Sequence, residues 1–145
     1  MKILYLMHVD WNWIKQRPHF IAEELGKNGF DVDVLFIPYQ KKFLVDNVAE
    51  NVSLKPIKQL RGRRFSIIRK MNSLLYKIIV KHTLKTKDYD YVYITHPSMY
   101  VSHLNKKIIY DCMDDNAAFS MSDKKRRRIL ETEKKIIQNA DIVLF

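Results

Sequence analysis

Cysteine and glycine are scarce in this sequence, and their scarcity excludes several kinds of protein. Cys112 is the only cysteine in 145 residues, which rules out a disulfide within the chain and is typical of a reducing cytoplasm. The three glycines, at positions 26, 29 and 62, do not follow the first apolar run, 2–7. Dinucleotide fingerprints and P-loops need glycines there so that phosphates can approach the backbone. The sequence therefore argues against both kinds of site.

Long apolar runs and zinc motifs are missing as well. No apolar run approaches the ~20 residues of a membrane-spanning helix, and the first residues do not resemble a signal peptide. The five histidines show no zinc-ligand spacing with the cysteine. We therefore expect a single cytoplasmic domain of 145 residues without a metal site, with 47% apolar residues to build its core.

Acidic residues are absent from one long segment, although the chain is rich in charge. Lysine and arginine number 26 against 16 acids, for a net charge of +10, and residues 51–87 contain eleven bases and no acid. A second basic cluster, KKRRR, occupies positions 124–128. Such a surface attracts phosphate-rich partners, although it can also be a solvated helix face. The residues predicted to form an anion-binding patch are Arg61, Arg63, Arg64, Arg69, Lys70, Lys77 and Lys81.

Apolar runs and helical periodicity predict alternating strands and helices. Strands are expected at 2–7, 31–37, 51–56, 90–95, 107–110 and 141–145, and helices at 19–28, 64–84 and 122–139. Strand–helix–strand units of this size imply an open, mostly parallel α/β sheet with right-handed crossovers and helices on both faces. The first helix should bury Phe20, Ile21 and Leu25, and the second should bury Phe65, Ile68, Met71, Leu74, Leu75, Ile78 and Ile79.

Unusual polar and aromatic residues follow the predicted strands. Because ligands of open parallel sheets bind at the carboxyl ends of the strands, these residues should share one edge. The two tryptophans of the loop 11–16 could form a ligand platform or plug the end of a helix. The acidic segment 111–115 could cap the next helix, bind hydroxyl donors, or hold Mg²⁺ in a phosphotransferase. The residues at this edge are His8, Asp10, Trp11, Pro38, His96, Asp111, Asp114 and Asp115.

Three motifs in a fixed order resemble a known family. They are WIKQRPHFIAEEL at 13–25 with NGFDV at 28–32, YDCMDD at 110–115 with Phe119, and Glu133 followed by NADIV at 139–143. This pattern is similar to bacterial family 4-like retaining glycosyltransferases of capsule, teichuronic acid and lipopolysaccharide synthesis. The resemblance implies the N-terminal half of a B-type enzyme, in which two Rossmann-like domains face each other.

The resemblance also implies how the work is divided. The chain would be the acceptor-side domain of a longer protein, without a cofactor of its own. A C-terminal domain would hold the nucleotide-sugar donor through two glutamates, and the acceptor would be a sugar or a lipid-linked sugar. Where relatives carry a glycine-rich loop this chain has the sequence DWNW, and where they carry a His-Asp pair it has Met113 and Asp114.

The candidate residues have distinct expected roles. Asp114 is the catalytic candidate, and with Asp115 it would accept hydrogen bonds from acceptor hydroxyls or orient the cleft loops. Asp111 would tie down neighbouring backbone, whereas Arg17 would bind a phosphate or act as a structural clamp. The basic helix would dock peripherally on the inner face of the membrane. The alternative is a non-catalytic module for anionic lipid or nucleic acid, of which nucleic acid is the less favoured. The cleft residues are Asp10, Trp11, Trp13, Arg17, His96, Asp111, Asp114 and Asp115.

Overall fold

The computed structural model describes residues 1–39, 48–115, 117–118 and 122–145, and within them six strands alternate with three long helices. A short 3-10 helix, Pro97–Met99, follows the fourth strand. The strands are β1 (Lys2–Met7), β2 (Asp31–Phe36), β3 (Val52–Pro56), β4 (Tyr91–Ile94), β5 (Lys107–Asp111) and β6 (Ile142–Leu144). The helices are α1 (Arg17–Lys27), α2 (Ser66–Thr86) and α3 (Asp123–Asn139).

All neighbouring strands are parallel, in the order β3-β2-β1-β4-β5-β6. The chain winds outward from β1 to β3, crosses back through α2, and continues from β4 to β6. This reversal makes the gap between the ends of β1 and β4 a topological switch point, where open α/β sheets bind their ligands. The predicted open, parallel, Rossmann-like α/β fold is confirmed.

Both faces of the sheet are covered, which explains why β1 is continuously apolar. On one face Leu4 and Leu6 pack with residues of α2 and α3. On the other face Ile3, Tyr5 and Met7 form a second core with α1. Successive side chains of β1 therefore enter two different cores.

The buried face of α1 differs from the predicted one. His19, Ala22 and Gly26 are buried, whereas Phe20 is exposed. A Cβ at position 26 would lie 2.6 Å from Cγ2 of Val52, so α1 approaches β3 too closely for a large residue at this contact. The prediction that Phe20 faces the core is wrong, whereas the predicted Ile21 and Leu25 are half-buried and pack against the core.

The buried face of α2 agrees with the predicted one only in part. Asn72, Tyr76 and Val80 are buried, and the predicted Ile68, Leu75 and Ile79 lie half-buried beside them. Asn72 is held by the backbone of Leu60, with bonds of 2.8 and 3.1 Å, and the Tyr76 hydroxyl donates to the Met99 carbonyl at 2.9 Å. Because these polar groups find partners, they can occupy the core. The predicted core residues Phe65, Met71, Leu74 and Ile78 are exposed instead.

Candidate functional site

Two histidines meet at the switch point, one from each central strand. His8 follows β1 and His96 follows β4, and their rings stack with centroids 4.9 Å apart. Nδ1 of His8 lies 2.8 Å from the Thr95 hydroxyl, which itself donates to the Leu6 carbonyl at 3.1 Å. The pair therefore joins the β1 and β4 ends at the place where a ligand is expected.

The neighbours of the two rings fix their hydrogen-bonding roles. Because the single Thr95 hydroxyl proton goes to Leu6, Nδ1 of His8 must donate to Thr95, and Nε2 is left as an acceptor. Nδ1 of His96 accepts from the Ser98 backbone N–H at 3.0 Å, so its Nε2 carries the proton and donates. One acceptor and one donor therefore stand side by side, which suits hydroxyl groups.

His8 is uncharged at neutral pH. Burial and the neighbouring His96 lower the pKa of His8 to about 4, and the charge of Asp114 opposes this shift. The interaction with His8 also shows that Asp114 lies near the histidine pair. The site consequently combines the uncharged ring of His8 with a nearby carboxylate.

Aromatic side chains border a cavity beside His8. It measures about 300 Å³ and is lined by His8, Val9, Trp13, Gln16 and Tyr39, at the lower end of the ~300–1,000 Å³ typical of small-molecule sites. Trp13 and Tyr39 are 52% and 61% exposed. Flat, exposed aromatic faces can stack against an apolar face of a ligand.

The other tryptophan and the first aspartate serve the protein itself. Trp11 is 7% exposed and packs against His19 of α1 with ring centroids 5.2 Å apart. Trp11 therefore plugs the end of this helix. Asp10 is 1% exposed and accepts hydrogen bonds from Asn12 and from the Tyr39 backbone N–H at 2.6 Å. Trp11 and Asp10 therefore shape the loops after β1 and β2, and Trp13 is the tryptophan that a ligand can reach.

Buried Asp111 and exposed Arg17 form a clamp. Nη2 of Arg17 donates to Asp111 at 2.7 Å, and the Tyr93 hydroxyl donates to the same carboxylate at 3.2 Å. Burial raises the pKa of Asp111, while Arg17 and Tyr93 lower it. Among the described residues, the hydrogen-bond partners of the Asp111 carboxylate are the side chains of Arg17 and Tyr93 rather than backbone groups. The contact of Arg17 with Asp111 is the geometry expected of a structural clamp.

The carboxylates of the acidic segment 111–115 differ in burial, since Asp111 is buried and the two that follow it are not. Asp114 and Asp115 are exposed, and Asp115 accepts hydrogen bonds from the backbone of Ala117 and Ala118 at 3.1 and 3.0 Å. Within the described residues, no three His, Cys, Asp or Glu side chains are grouped so as to hold a metal ion. Phe119 of the predicted motif lies outside the described residues.

Several site residues escaped the sequence analysis. Thr95 and Ser98 set the roles of the two histidines, yet a hydroxyl after a strand carries no distinctive pattern. Tyr39 lies three residues after the end of β2 and could have been found by extending the strand-end argument beyond Pro38. Tyr110 and Glu133 join β5 to α3 through a 2.6 Å hydrogen bond. This contact links two of the motifs on which the family resemblance depends.

The predicted basic patch lies beside this site. Arg61, Arg63 and Arg64 precede α2, and Arg69, Lys70, Lys77 and Lys81 lie on it, all exposed. Arg63 and Arg69 line a cavity of about 280 Å³ that also contains His8 and Tyr39. The patch and the strand-end cavity are therefore adjacent.

Comparison with known proteins supports the fold. No family model and no curated protein matches the chain. A sucrose-phosphate synthase from Thermosynechococcus elongatus is similar to it with a TM-score of 0.67 and 13% identity over 98% of this chain. The chain spans 41% of that protein's length. The C-terminal domain of a hydrogenase from Pyrococcus furiosus is also similar, with a TM-score of 0.46 and 16% identity over 99% of this chain and 88% of that one. This similarity is too distant to carry an argument. The chain therefore has a Rossmann-like fold that also occurs in a sucrose-phosphate synthase.

Proposed function

We propose that the chain is the acceptor-binding domain of a glycosyltransferase. The complete enzyme would transfer a sugar from a nucleotide-sugar donor to a glycan or lipid-linked acceptor in cell-surface polysaccharide synthesis, in the cytoplasm. The observation that carries the proposal is the stacked His8–His96 pair at the switch point of a parallel sheet. The shared fold with a sucrose-phosphate synthase and the family resemblance of the motifs support it.

The chemistry of the site suits a sugar. A sugar ring presents hydroxyl groups around its edge and C–H groups on its faces. His8 offers an acceptor and His96 a donor to the hydroxyls, and exposed Trp13 and Tyr39 offer flat faces.

Asp114 is the proposed catalytic-site carboxylate, with Asp115 shaping the adjoining loop. It would accept a hydrogen bond from the reacting acceptor hydroxyl and keep that oxygen oriented toward the donor. In the complete enzyme, Asp114→Asn should then lower kcat at least tenfold with an almost unchanged melting temperature. A large loss of stability with normal specific activity would show a structural role instead. The donor would bind to a second domain, so residues 1–145 alone should not transfer sugar.

Sugar binding tests the proposal directly. Saturation-transfer NMR with a panel of methyl glycosides and N-acetylhexosamines should reveal at least one bound sugar, with millimolar affinity because the contact is small. The signal should disappear in His8→Gln and Trp13→Ala and persist in Phe20→Ser, an exposed aromatic on α1. Absence of binding across the panel, or binding that survives both substitutions, would refute the site.

A non-catalytic module is the second candidate, and the exposed cations of α2 favour it, since those at 69, 70, 77 and 81 form no ion pair with any described acid. Such a module would bind anionic lipid or nucleic acid without a donor or a reacting sugar. Transfer assays on the complete gene product distinguish the two functions. Transfer that depends on Asp114 identifies the enzyme, whereas ligand binding without turnover identifies the module.

A further inference from the structure

Three adjoining cavities form a continuous basic groove between the strand-end site and the outer surface of α2 and α3. The first, about 280 Å³, contains Arg63 and Arg69 together with His8. The others, about 560 and 490 Å³, share Lys77 and Arg128, and all three include Ser73. We call this surface the α2–α3 groove. It begins at His8, the residue that also lines the proposed sugar cavity.

The groove is electrically unbalanced. Among the described residues, no aspartate or glutamate lines any of the three cavities. Within the part of the chain that the structure describes, none of its cations belongs to an ion pair. Asp123 and Glu131 border Arg128 in a separate cavity without pairing with it. The groove therefore gathers positive charge that the protein itself does not neutralise.

The orientation of α2 adds to this potential. Its first turn contains no acid, and Arg63, Arg64 and Arg69 cluster at its N-terminal end. Cations there face the positive end of the helix dipole, which costs stability rather than adding to it. A bound anion would interact favourably with both the dipole and the side chains. The arrangement is thus costly without a ligand and favourable with one.

An exposed apolar stripe borders the groove. Ile67, Met71, Leu74 and Ile78 repeat at steps of four, three and four residues on the outward side of α2, and Leu74 also lines the groove. Ile67 and Leu74 are 61% and 60% exposed. Among the described residues, no helix is both long enough and apolar enough to cross a membrane. The stripe is flanked by Lys70, Lys77 and Lys81, and this combination of exposed apolar and basic residues suits a bilayer surface.

We propose that the α2–α3 groove binds the phosphate groups of a lipid-linked acceptor while the stripe rests on the membrane that carries it. The inference rests on the proposed function for the sugar end of the acceptor, which would reach the cavity at His8. A lipid phosphate fits the adjacent apolar and basic surfaces better than nucleic acid does, because bound nucleic acid would leave the apolar stripe exposed to water. The two ends of one ligand would thus occupy two connected parts of the domain.

Vesicle binding tests the inference. Co-sedimentation is measured with vesicles of phosphatidylcholine alone, with added phosphatidylglycerol, and with added polyprenyl diphosphate at the same surface charge. Binding should be strongest with the diphosphate lipid, weaker with phosphatidylglycerol and weakest with phosphatidylcholine. Soluble pyrophosphate should compete with the diphosphate lipid. Equal binding to the two anionic vesicles would overturn the inference, because the groove would then respond to charge alone.

Matched variants locate the binding surface. Lys77→Gln/Arg128→Gln should weaken binding to diphosphate vesicles about thirtyfold, at about fivefold for each charge near an anionic surface. Leu74→Ser/Ile78→Ser should weaken binding to every vesicle, and both residues are exposed enough to leave the fold intact. Lys27→Gln/Lys107→Gln removes two exposed charges outside the groove and should change binding less than about twofold.

Two further outcomes would overturn the inference. One is an equal loss in the Lys27/Lys107 control, and the other is tight oligonucleotide binding that depends on Lys77 and Arg128 and resists vesicle competition. Failure here is distinguishable from failure of the proposed function. The sugar assay uses neutral, water-soluble glycosides, and its result does not depend on the groove charges.

Discussion

Two groups of cations on and around α2, one at the Asp33 cluster and one in the α2–α3 groove, have different surroundings. Near the C-terminal end of α2, Lys87 lies 3.1 Å from Asp33, and Lys55 and Tyr89 bind the same carboxylate. The cations of the α2–α3 groove, by contrast, meet no carboxylate within the described residues. The first set holds the fold together, and the second is the set that we propose binds phosphate. The two sets differ in their partners rather than in their number.

The Asp33 cluster is a balanced network inside the protein. Burial alone would raise the pKa of Asp33, but hydrogen bonds from Lys55, Tyr89 and Lys87 outweigh it and lower the pKa to about 2. The carboxylate is therefore ionised at all ordinary pH values. Its contribution to stability is present above the unfolded-state pKa and is lost as the pH falls toward about 2.

Removing the shared carboxylate should produce the largest loss of stability. Asp33→Asn would leave Lys55 and Tyr89 without their charged partner, at a cost of about 2–3 kcal/mol in the free energy of unfolding. The estimate is below the full value for a buried pair because both lysines are partly exposed. Urea denaturation measures it, with exposed Asp31→Asn as the control.

Removing positive charge from the groove should raise the free energy of unfolding or leave it unchanged. If Lys77→Gln/Arg128→Gln destabilised the protein as much as Asp33→Asn does in urea denaturation, the contrast between the Asp33 cluster and the α2–α3 groove would be wrong.

The clamp behind the candidate site should have an intermediate effect. Arg17→Gln and Asp111→Asn should each cost about 1 kcal/mol, since each removes one charged hydrogen bond from the buried carboxylate. The two substitutions share this bond, so their combined effect should be less than the sum. A double-mutant cycle measures the coupling, and strict additivity would show that the clamp contributes nothing.

Mild acid should have the smallest effect. Burial lowers the pKa of both His8 and His19, so the unfolded chain binds their protons first. Stability should then fall as the pH decreases from about 6.5 toward about 4. His8→Gln should reduce the slope of the free energy of unfolding against pH by the equivalent of at most one bound proton. Substituting Lys77 should leave that slope unchanged. A slope unaffected by His8→Gln would show that His8 is not buried as a neutral ring.

The sequence reveals the sheet better than the surfaces of its helices. Continuous apolar runs such as β1 have few alternatives, so the strands and their parallel direction could be predicted, although their order in the sheet was not. Helix α2 has apolar residues all around it, so periodicity could not tell that Asn72 and Tyr76 would face the core. That choice depends on carbonyls of Leu60 and Met99, which are distant in sequence.

The candidate site was predictable in its place but not in its details. Strand ends located His8 and His96 on one edge. Their opposite hydrogen-bonding roles depend on Thr95 and Ser98, which no motif marks. Sequence also could not separate buried Trp11 from exposed Trp13, nor anticipate that Arg17 and Asp111, 94 positions apart, would pair. Such contacts arise only when the whole sheet is assembled.

One titration tests the central claim that sugar and phosphate bind to connected parts of this domain. Amide chemical shifts are followed by NMR as the chain is titrated with a glycosylated short-chain prenyl diphosphate. We predict shifts in two groups, around His8, Trp13 and His96 and around Arg69, Lys77 and Arg128, with a single dissociation constant for both. Shifts confined to α1 and the opposite face of the sheet, or two groups with unrelated dissociation constants, would contradict the account.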